Sequence, residues 1–179
     1  MTIELLPLHH HPEYILDCCT LLNDEWKRSE TARLRSLESS SDHLPTCLVL
    51  LQNKMLVGHV KLSRIPSIPE ACFLESVVIR KCMRGQGYGT VLMQKTEDYC
   101  RDILKLITIY LSTQGQEKFY AKLGYIECYP VSIYGGCPGM PIIQTVSKGN
   151  YQSGPPPPPI PQTTKVNSSR KTYMTKSLI

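Results

Sequence analysis

The sequence has 179 residues, of which 41% are hydrophobic, and this length suits one domain with a substantial core. The formal net charge of +5 comes from residues 147–179, which hold five basic residues and no acidic ones, so the remaining chain carries 15 of each sign. A nucleic-acid-binding body, which would be basic as a whole, is therefore excluded, and no apolar run approaches the ~20 residues that span a bilayer. We expect neither nucleic acid nor membrane as a partner.

Strands and helices alternate along the first 131 residues. From the N-terminus, the pattern predicts a strand over 3–8, a helix that Pro12 opens, and a second helix over 30–37. Strands over 46–51 and 56–65, joined by a turn at Asn53 and Lys54, and a strand over 72–79 follow. The rest comprises a helix over 87–101, a strand over 104–111, a short helix over 115–123 and a strand over 125–131. This order predicts one α/β domain.

The composition changes after residue 134. Residues 135–167 contain Gly-Gly, Pro-Gly and a run of prolines at 155–159, a composition that cannot join a core. Residues 171–179 then alternate like a strand again. We therefore predict a proline-rich loop over 135–167, inserted before a final strand. The alternative is a wholly disordered C-terminus.

The cysteines and histidines give no sign of a metal site. Eight cysteines are spread along the chain without a Cys-x-x-Cys pair. The N-terminus lacks the basic-then-apolar layout of a signal peptide, so we expect reduced thiols in a cytoplasmic protein. His9, His10 and His11 precede a predicted helix and are expected to be exposed loop residues rather than metal ligands.

A glycine-rich turn joins the strand at 72–79 to the helix that follows it. Glycines at 85, 87 and 89 would let the backbone approach an anion, and the positive helix N-terminus would suit a pyrophosphate, with Arg84 adding charge. The spacing departs from the dinucleotide-binding fingerprint because the third glycine falls early, and the Lys-Ser/Thr pair of a P-loop is missing. A plain tight turn remains the alternative.

Two motifs resemble those of the GNAT family of N-acetyltransferases. Arg84, Gly87 and Gly89 match the family turn Arg/Gln-x-x-Gly-x-Gly/Ala between a strand and a helix, and Phe119-Tyr120 with Gly124-Tyr125 is similar to its Phe-Tyr-x-x-x-Gly-Phe/Tyr segment. The resemblance implies the GNAT fold, a mixed twisted sheet of about seven strands flanked by about four helices. It also implies a single acetyltransferase domain over 1–179.

The resemblance further implies acetyl-CoA as the acetyl donor and a set of positions that hold it. The pantetheine arm would pair with the backbone of one strand, the pyrophosphate would lie on the glycine turn, and Thr113 stands where relatives often place Asn. The implied cofactor-binding residues are Val77, Val78, Ile79, Arg84, Gly85, Gln86, Gly87, Tyr88, Gly89, Thr90 and Thr113.

Two residues are candidates for acid–base catalysis. Tyr120 matches the family's general acid, which protonates the departing thiolate; its alternative role is packing on the sheet. Glu75 is the candidate base, because strand alternation would put it on one face with Val77 and because a carboxylate in an apolar strand needs a task or a partner. A buried ion pair is the alternative for Glu75.

A cluster of cations marks the junction of the first two predicted helices. Arginines pair carboxylates, so this wall would favour acidic residues, although a solvated helix face is the ordinary interpretation. Together with Gly58-His59 and the late proline run, the segment resembles GNAT enzymes that acetylate the acidic N-terminus of processed actin. The implied substrate-binding residues are Trp26, Arg28, Arg33, Leu34, Arg35 and Ser36.

The same resemblance implies profilin as a partner of the proline run that begins at Pro155 and ends at Pro161, and we expect a monomer. Two alternatives stay open at this point. The first is a lysine or small-amine acetyltransferase of the same fold, and the second is a degenerate domain that acts as a profilin-binding scaffold.

Overall fold

A computed structural model describes residues 1–135 and 170–179, which form a seven-stranded sheet in the order β1-β2-β3-β4-β5-β7-β6. All neighbours are antiparallel except β4 and β5, which are parallel. The predicted mixed sheet of seven strands is thereby confirmed. The strands are β1 (Ile3–Pro7), β2 (Thr46–Gln52), β3 (Met55–Arg64), β4 (Ala71–Ile79), β5 (Thr108–Thr113), β6 (Ile126–Glu127) and β7 (Thr172–Ser177).

Four α-helices in these residues cover the two faces of the sheet. Helices α1 (Ile15–Glu25) and α2 (Glu30–Glu38) enclose a core with β2, and α3 (Tyr88–Asp102) and α4 (Glu117–Lys122) enclose a larger core on the opposite face. Leu22 of α1 and Leu92 of α3 are each at most 2% exposed. Within the described ranges, no helix is both long and apolar enough to cross a bilayer.

Local sequence explains several element boundaries. Asn53 and Lys54 both adopt positive φ in the turn between β2 and β3, as a tight hairpin requires. The Ser29 hydroxyl accepts a hydrogen bond from the Ala32 N–H and so caps α2.

Three predicted boundaries were wrong. A 3₁₀ turn over Pro12–Tyr14 precedes α1, so the α-helix begins later than Pro12. Residues 104–107 are not strand, because Lys105 adopts positive φ and the Leu106 N–H still bonds to a carbonyl at the end of α3. The last strand before residue 135 has only two residues, and the Cys128 N–H extends its pairing by one bond to Tyr173.

The final strand is confirmed as β7, which lies between β5 and β6 and so rules out a wholly disordered C-terminus. Residues 136–169 lie outside the described residues, and the predicted proline-rich loop falls almost entirely there. The β7 strand is held by Lys176, whose ammonium donates to the carboxylate of Glu97 on α3 at 2.7 Å and to the carbonyl of Leu123 at 2.6 Å. The Tyr125 hydroxyl donates to the other oxygen of Glu97 at 3.2 Å.

This three-residue network predicts a strong effect of one substitution. Lys176→Met should lower the free energy of unfolding by about 3 kcal/mol, because it leaves the carboxylate of Glu97, which is 7% exposed, without its cation. Urea denaturation followed by circular dichroism measures the change. Lys122→Met, at an exposed position of α4, is the matched control and should alter stability by less than about 0.5 kcal/mol. Equal midpoints for the two variants would contradict the prediction.

Candidate active site

The parallel pair β4 and β5 opens into a gap halfway along its length. The two strands pair from Ala71 with Thr108 to Leu74 with Leu111, and no pairing between them continues beyond that point. The later part of β4 pairs with β3 alone, and the end of β5 pairs with β7. The backbone of β4 beyond Leu74 therefore has one edge that no strand of the described residues covers. Val77, Val78 and Ile79, which the family resemblance predicts to pair with the pantetheine arm, lie along this edge.

A β-bulge at Ser76 reverses the alternation of β4. Ser76 has φ +52°, and the register with β3 shifts between His59 and Lys61. Val77 packs on the α3 side of the sheet, whereas Glu75 shares the α2 side with Ser63, whose hydroxyl donates to its carboxylate. The expectation that Glu75 and Val77 share one face was wrong, because the bulge inserts one extra residue between them.

The glycine turn leads into an open helix N-terminus. Gly85 and Gly87 adopt φ of +74° and +86°, and a Cβ built on either glycine has no heavy atom within 4 Å. Gly87 is the N-cap of α3, and no side chain caps the helix. The first N–H groups of α3, on Tyr88, Gly89 and Thr90, thus face an uncovered space with the positive end of the helix dipole behind them. This cradle fits a pyrophosphate.

Gly89 has a different role from the other two glycines. A Cβ on Gly89 would lie 3.3 Å from the Phe119 ring, so its absence lets α4 pack closely on the first turn of α3. Phe119 contacts the Tyr120 ring edge-to-face at 5.0 Å between centroids, and Tyr120 is 8% exposed. Burial raises the pKa of Tyr120 to about 12. Its phenol therefore stays protonated at neutral pH.

Arg84 is held in place by groups that the sequence did not link to it. Its guanidinium donates to the Ile79 carbonyl at 2.9 Å and to the Glu25 carboxylate of α1 at 2.6 Å. The ion pair with Glu25 offsets part of the positive charge expected at the turn. These residues, with Lys81 and Val78, line a cleft of about 230 Å³ between α1 and the end of β4. Gln86 donates to the Cys82 carbonyl within the same turn at 3.3 Å.

Polar side chains from α2, β3 and β4 gather on the α2 side of the bulge. Lys61 lies directly opposite Glu75 in the register and donates to the Ser36 hydroxyl at 3.2 Å. Lys61 and Ser63 are absent from the residues that the sequence motifs implicated. The sequence did contain a signal, because Lys61 lies within a mostly buried strand, where a charge requires a partner.

Arg33 joins α1 to α2 instead of facing solvent. It is 7% exposed, its Nε donates to the Asn23 side chain at 3.2 Å, and one Nη donates to the Trp26 carbonyl. Its neighbour Leu34 packs partly against the α1–α2 core. Both residues therefore help to pack α1 against α2. The guanidinium of Arg33 is engaged within the protein and is not free to pair with a substrate carboxylate.

The other predicted substrate residues are more accessible. Arg28 and Arg35 are exposed, and Trp26 is 44% exposed at the end of α1. Arg28 borders an open groove of about 690 Å³ along α1 and the start of α2. Thr113 is buried at the end of β5, on the α3 side of the gap. The predicted site residues thus lie on both faces of the sheet. At the gap, groups from both faces can contact the same bound molecule.

His59 fixes the bulge from the neighbouring strand. It is 1% exposed, and its Nδ1 lies 2.9 Å from the Ser76 carbonyl, so it must donate there. Its Nε2 is buried and has no hydrogen-bond partner among the described residues. Burial, together with the nearby cations Lys61 and Arg33, lowers the pKa of His59 to about 4.

This depressed pKa predicts a pH dependence of stability. The unfolded state, with an imidazole pKa near 6.5, takes up the proton first as the pH falls. The free energy of unfolding should therefore decrease between about pH 6.5 and pH 4, by about 3 kcal/mol from this residue. His59→Asn keeps a donor near the Nδ1 position and removes the titrating group, so its stability should depend less on pH over that range. If the free energies of unfolding of the two proteins fell equally as the pH decreases, the prediction would be contradicted.

Comparisons with known proteins bear on this site. Residues 12–125 match the Acetyltransferase (GNAT) family. Over 84% of its length the chain is 34% identical to N-alpha-acetyltransferase 80 of Mus musculus, and it spans 58% of the length of that relative.

Two solved structures share the fold. The first is an aminoglycoside 6'-N-acetyltransferase complexed with coenzyme A, with a TM-score of 0.66 at 15% identity, covering 100% of this chain and 98% of that one. The second is the spermidine/spermine N-acetyltransferase SpeG of Vibrio cholerae, with a TM-score of 0.61 at 18% identity, covering 99% of this chain and 95% of that one.

Proposed function

The chain belongs to the GNAT family of acetyltransferases, and we propose that it transfers the acetyl group of acetyl-CoA to the acidic N-terminus of processed actin. One observation carries the proposal. The gap between β4 and β5 has an uncapped helix N-terminus at one end and a polar set with exposed cations on the α2 side. The N-terminal acetyltransferase that is 34% identical supports the type of acceptor.

The residues around the gap fit acetyl-CoA. When bound, acetyl-CoA supplies an activated acetyl group as a thioester. The open cradle at Gly85 and Gly87 would hold its pyrophosphate, and the uncovered backbone edge of β4 would pair with its pantetheine arm as an added strand would. A Cβ at Gly87 would project into that cradle.

The proposed acceptor amine needs little deprotonation by the enzyme. A terminal α-amine with a pKa of ~7.8 is roughly a quarter neutral at pH 7.4, whereas a lysine at ~10.4 is about 0.1% neutral. Glu75, whose carboxylate accepts from Ser63, would hold the amine on the α2 side and take its proton. On the other face, Tyr120 would give its phenolic proton to the thiolate. Burial that raises the pKa of Tyr120 also raises the proton affinity of a thiolate in the same site.

Preference for an acidic N-terminus would come from cations of α2, of the loop before it and of the sheet. Arg28 is exposed in the loop between α1 and α2, Arg35 is exposed on α2, and Lys61 of β3 lies opposite Glu75 of β4. A carboxylate that follows the acceptor amine would find a positive charge next to the base. Trp26 and Ser36 would form the wall of the same site, and Arg33 would keep the two helices in place.

Substitution of the proposed acid tests the mechanism. Tyr120→Phe should lower kcat by roughly 10²-fold at saturating substrates, because the ring packing is kept and the proton donor is lost. Its melting temperature should match that of the parent protein. Tyr129→Phe, at a tyrosine that is 91% exposed, is the matched control and should keep full turnover. A Tyr120→Phe enzyme with full turnover would remove this residue from the mechanism.

Peptides that differ only in their first residues test the substrate. Arg28→Gln and Arg35→Gln should each lower kcat/KM for Asp- or Glu-starting peptides by about tenfold, the scale of one hydrogen bond to a charged group, and should spare a neutral N-terminus. Acetyl-CoA affinity, measured by calorimetry, should not change. Arg101→Gln, exposed on α3, is the matched control.

The same screen separates the proposal from its alternatives. Equal losses on acidic and neutral peptides would mean that the arginines support the fold. Faster acetylation of an internal lysine or a polyamine would identify a lysine or small-amine acetyltransferase instead. A folded protein that does not bind acetyl-CoA would identify a scaffold.

Profilin remains the proposed partner of the proline run at 155–161, which lies outside the described residues. Consecutive prolines hold a polyproline II helix before binding, so docking in an aromatic groove loses little chain entropy. Cytoplasmic residence is proposed with it. The seven described cysteines, which are all free thiols, support a reducing compartment.

A further inference from the structure

Two histidines and one aspartate converge on the surface between β1 and α2. The Nε2 atoms of His9 and His10 lie 2.7 and 2.9 Å from the same oxygen, Oδ1 of Asp42. The histidines belong to a 3₁₀ turn directly after β1, and Asp42 belongs to the loop between α2 and β2. One ligand atom from each residue lies within 4.8 Å of the others. Neither catalysis nor acceptor recognition uses these three residues.

His9 has the orientation and support that a metal ligand requires. Its Nδ1 lies 2.8 Å from the hydroxyl of Ser40, and Ser40 is 7% exposed. The same hydroxyl accepts from the Cys47 N–H on β2 at 2.9 Å, so Ser40 is itself fixed to the sheet. Metal-binding histidines commonly direct the second ring nitrogen to a polar group in this way, which leaves the first nitrogen for the ion.

The other two ligands can adjust to an ion. Tetrahedral Zn²⁺ with bonds of about 2.0–2.1 Å keeps its ligand atoms about 3.3 Å apart, so the two distances to Asp42 would each open by about half an ångström. The side chains of His10 and Asp42 are 55% and 69% exposed, whereas that of His9 is 15% exposed. If the two exposed side chains moved while His9 stayed fixed, the three residues would supply three of the four tetrahedral ligands, and water would supply the fourth.

We propose that His9, His10 and Asp42 bind a divalent first-row transition metal ion, with Zn²⁺ as the best match. Two imidazoles and one carboxylate suit zinc better than the all-oxygen ions calcium and magnesium. The site is independent of the proposed acetyl transfer. An ion there would join the turn after β1 to the loop after α2, and so fix the C-terminal end of the helix that carries Arg35 and Ser36.

Calorimetric titration of the full chain with Zn²⁺ alone tests the site. Because Cys82 is exposed and Cys137 lies outside the described residues, the titration uses a Cys82→Ser, Cys137→Ser background. One ion per chain should bind, and His10→Ala and Asp42→Asn should each weaken its affinity by more than tenfold. His11→Ala is the matched control, since the ring of His11 pairs with Glu13 and not with the cluster, and it should bind as the background does.

Two further measurements do not depend on catalysis. Zn²⁺ should raise the melting temperature of the background protein and not that of His10→Ala. Co²⁺ should give a visible spectrum without a thiolate charge-transfer band. Unchanged zinc affinity in His10→Ala, an equal loss in His11→Ala, or a thiolate band with Co²⁺ would each overturn the proposal.

Discussion

The separation of β4 from β5 after Leu74 and Leu111 is the constraint on which the rest of the structure depends. A parallel pair that closed along its whole length would use both edges of β4 and would seal one face of the sheet from the other. Because the pair opens, a strand edge, a helix N-terminus and side chains from both faces border one space. The bulge at Ser76 adds to this arrangement by turning Glu75 toward α2 and Val77 toward α3.

Neighbouring elements fix both sides of that gap. On one side, His59 donates to the Ser76 carbonyl and fixes the bulge. On the other, β5 pairs with β7 along its whole length, and the ion pair of Lys176 and Glu97 fixes β7 to α3. His59 and Glu97 are buried polar groups, so the free-energy cost of burying them is offset only by the hydrogen bonds of this geometry. Stability and site geometry therefore rest on the same few side chains.

The sequence predicted the order of elements and the final strand, because apolar alternation and turn residues act locally. It also located the glycine turn, where Gly85 and Gly87 adopt the positive φ that glycine permits. It failed where one extra residue or a distant partner decides the outcome. No residue pattern around Ser76 indicates a bulge. The close packing that requires Gly89 depends on Phe119, which is thirty residues away in the sequence. The burial of Arg33 depends on Asn23 and Trp26, which periodicity does not bring together.

The position of β7 beside β6 has a consequence for how the chain tolerates changes of length. Residues 128 and 173 are hydrogen-bonded neighbours, and Val131 and Ile133 pack against the cluster around Phe73, so the length of chain that follows residue 133 has both of its ends fixed. The entropic cost of closing a loop grows only with the logarithm of its length, by about 0.6 kcal/mol for each doubling. Segments can be gained or lost here with little thermodynamic penalty, while the sheet and its gap keep their dimensions. Changes in the length of this stretch should therefore leave the chemistry of the gap unaltered.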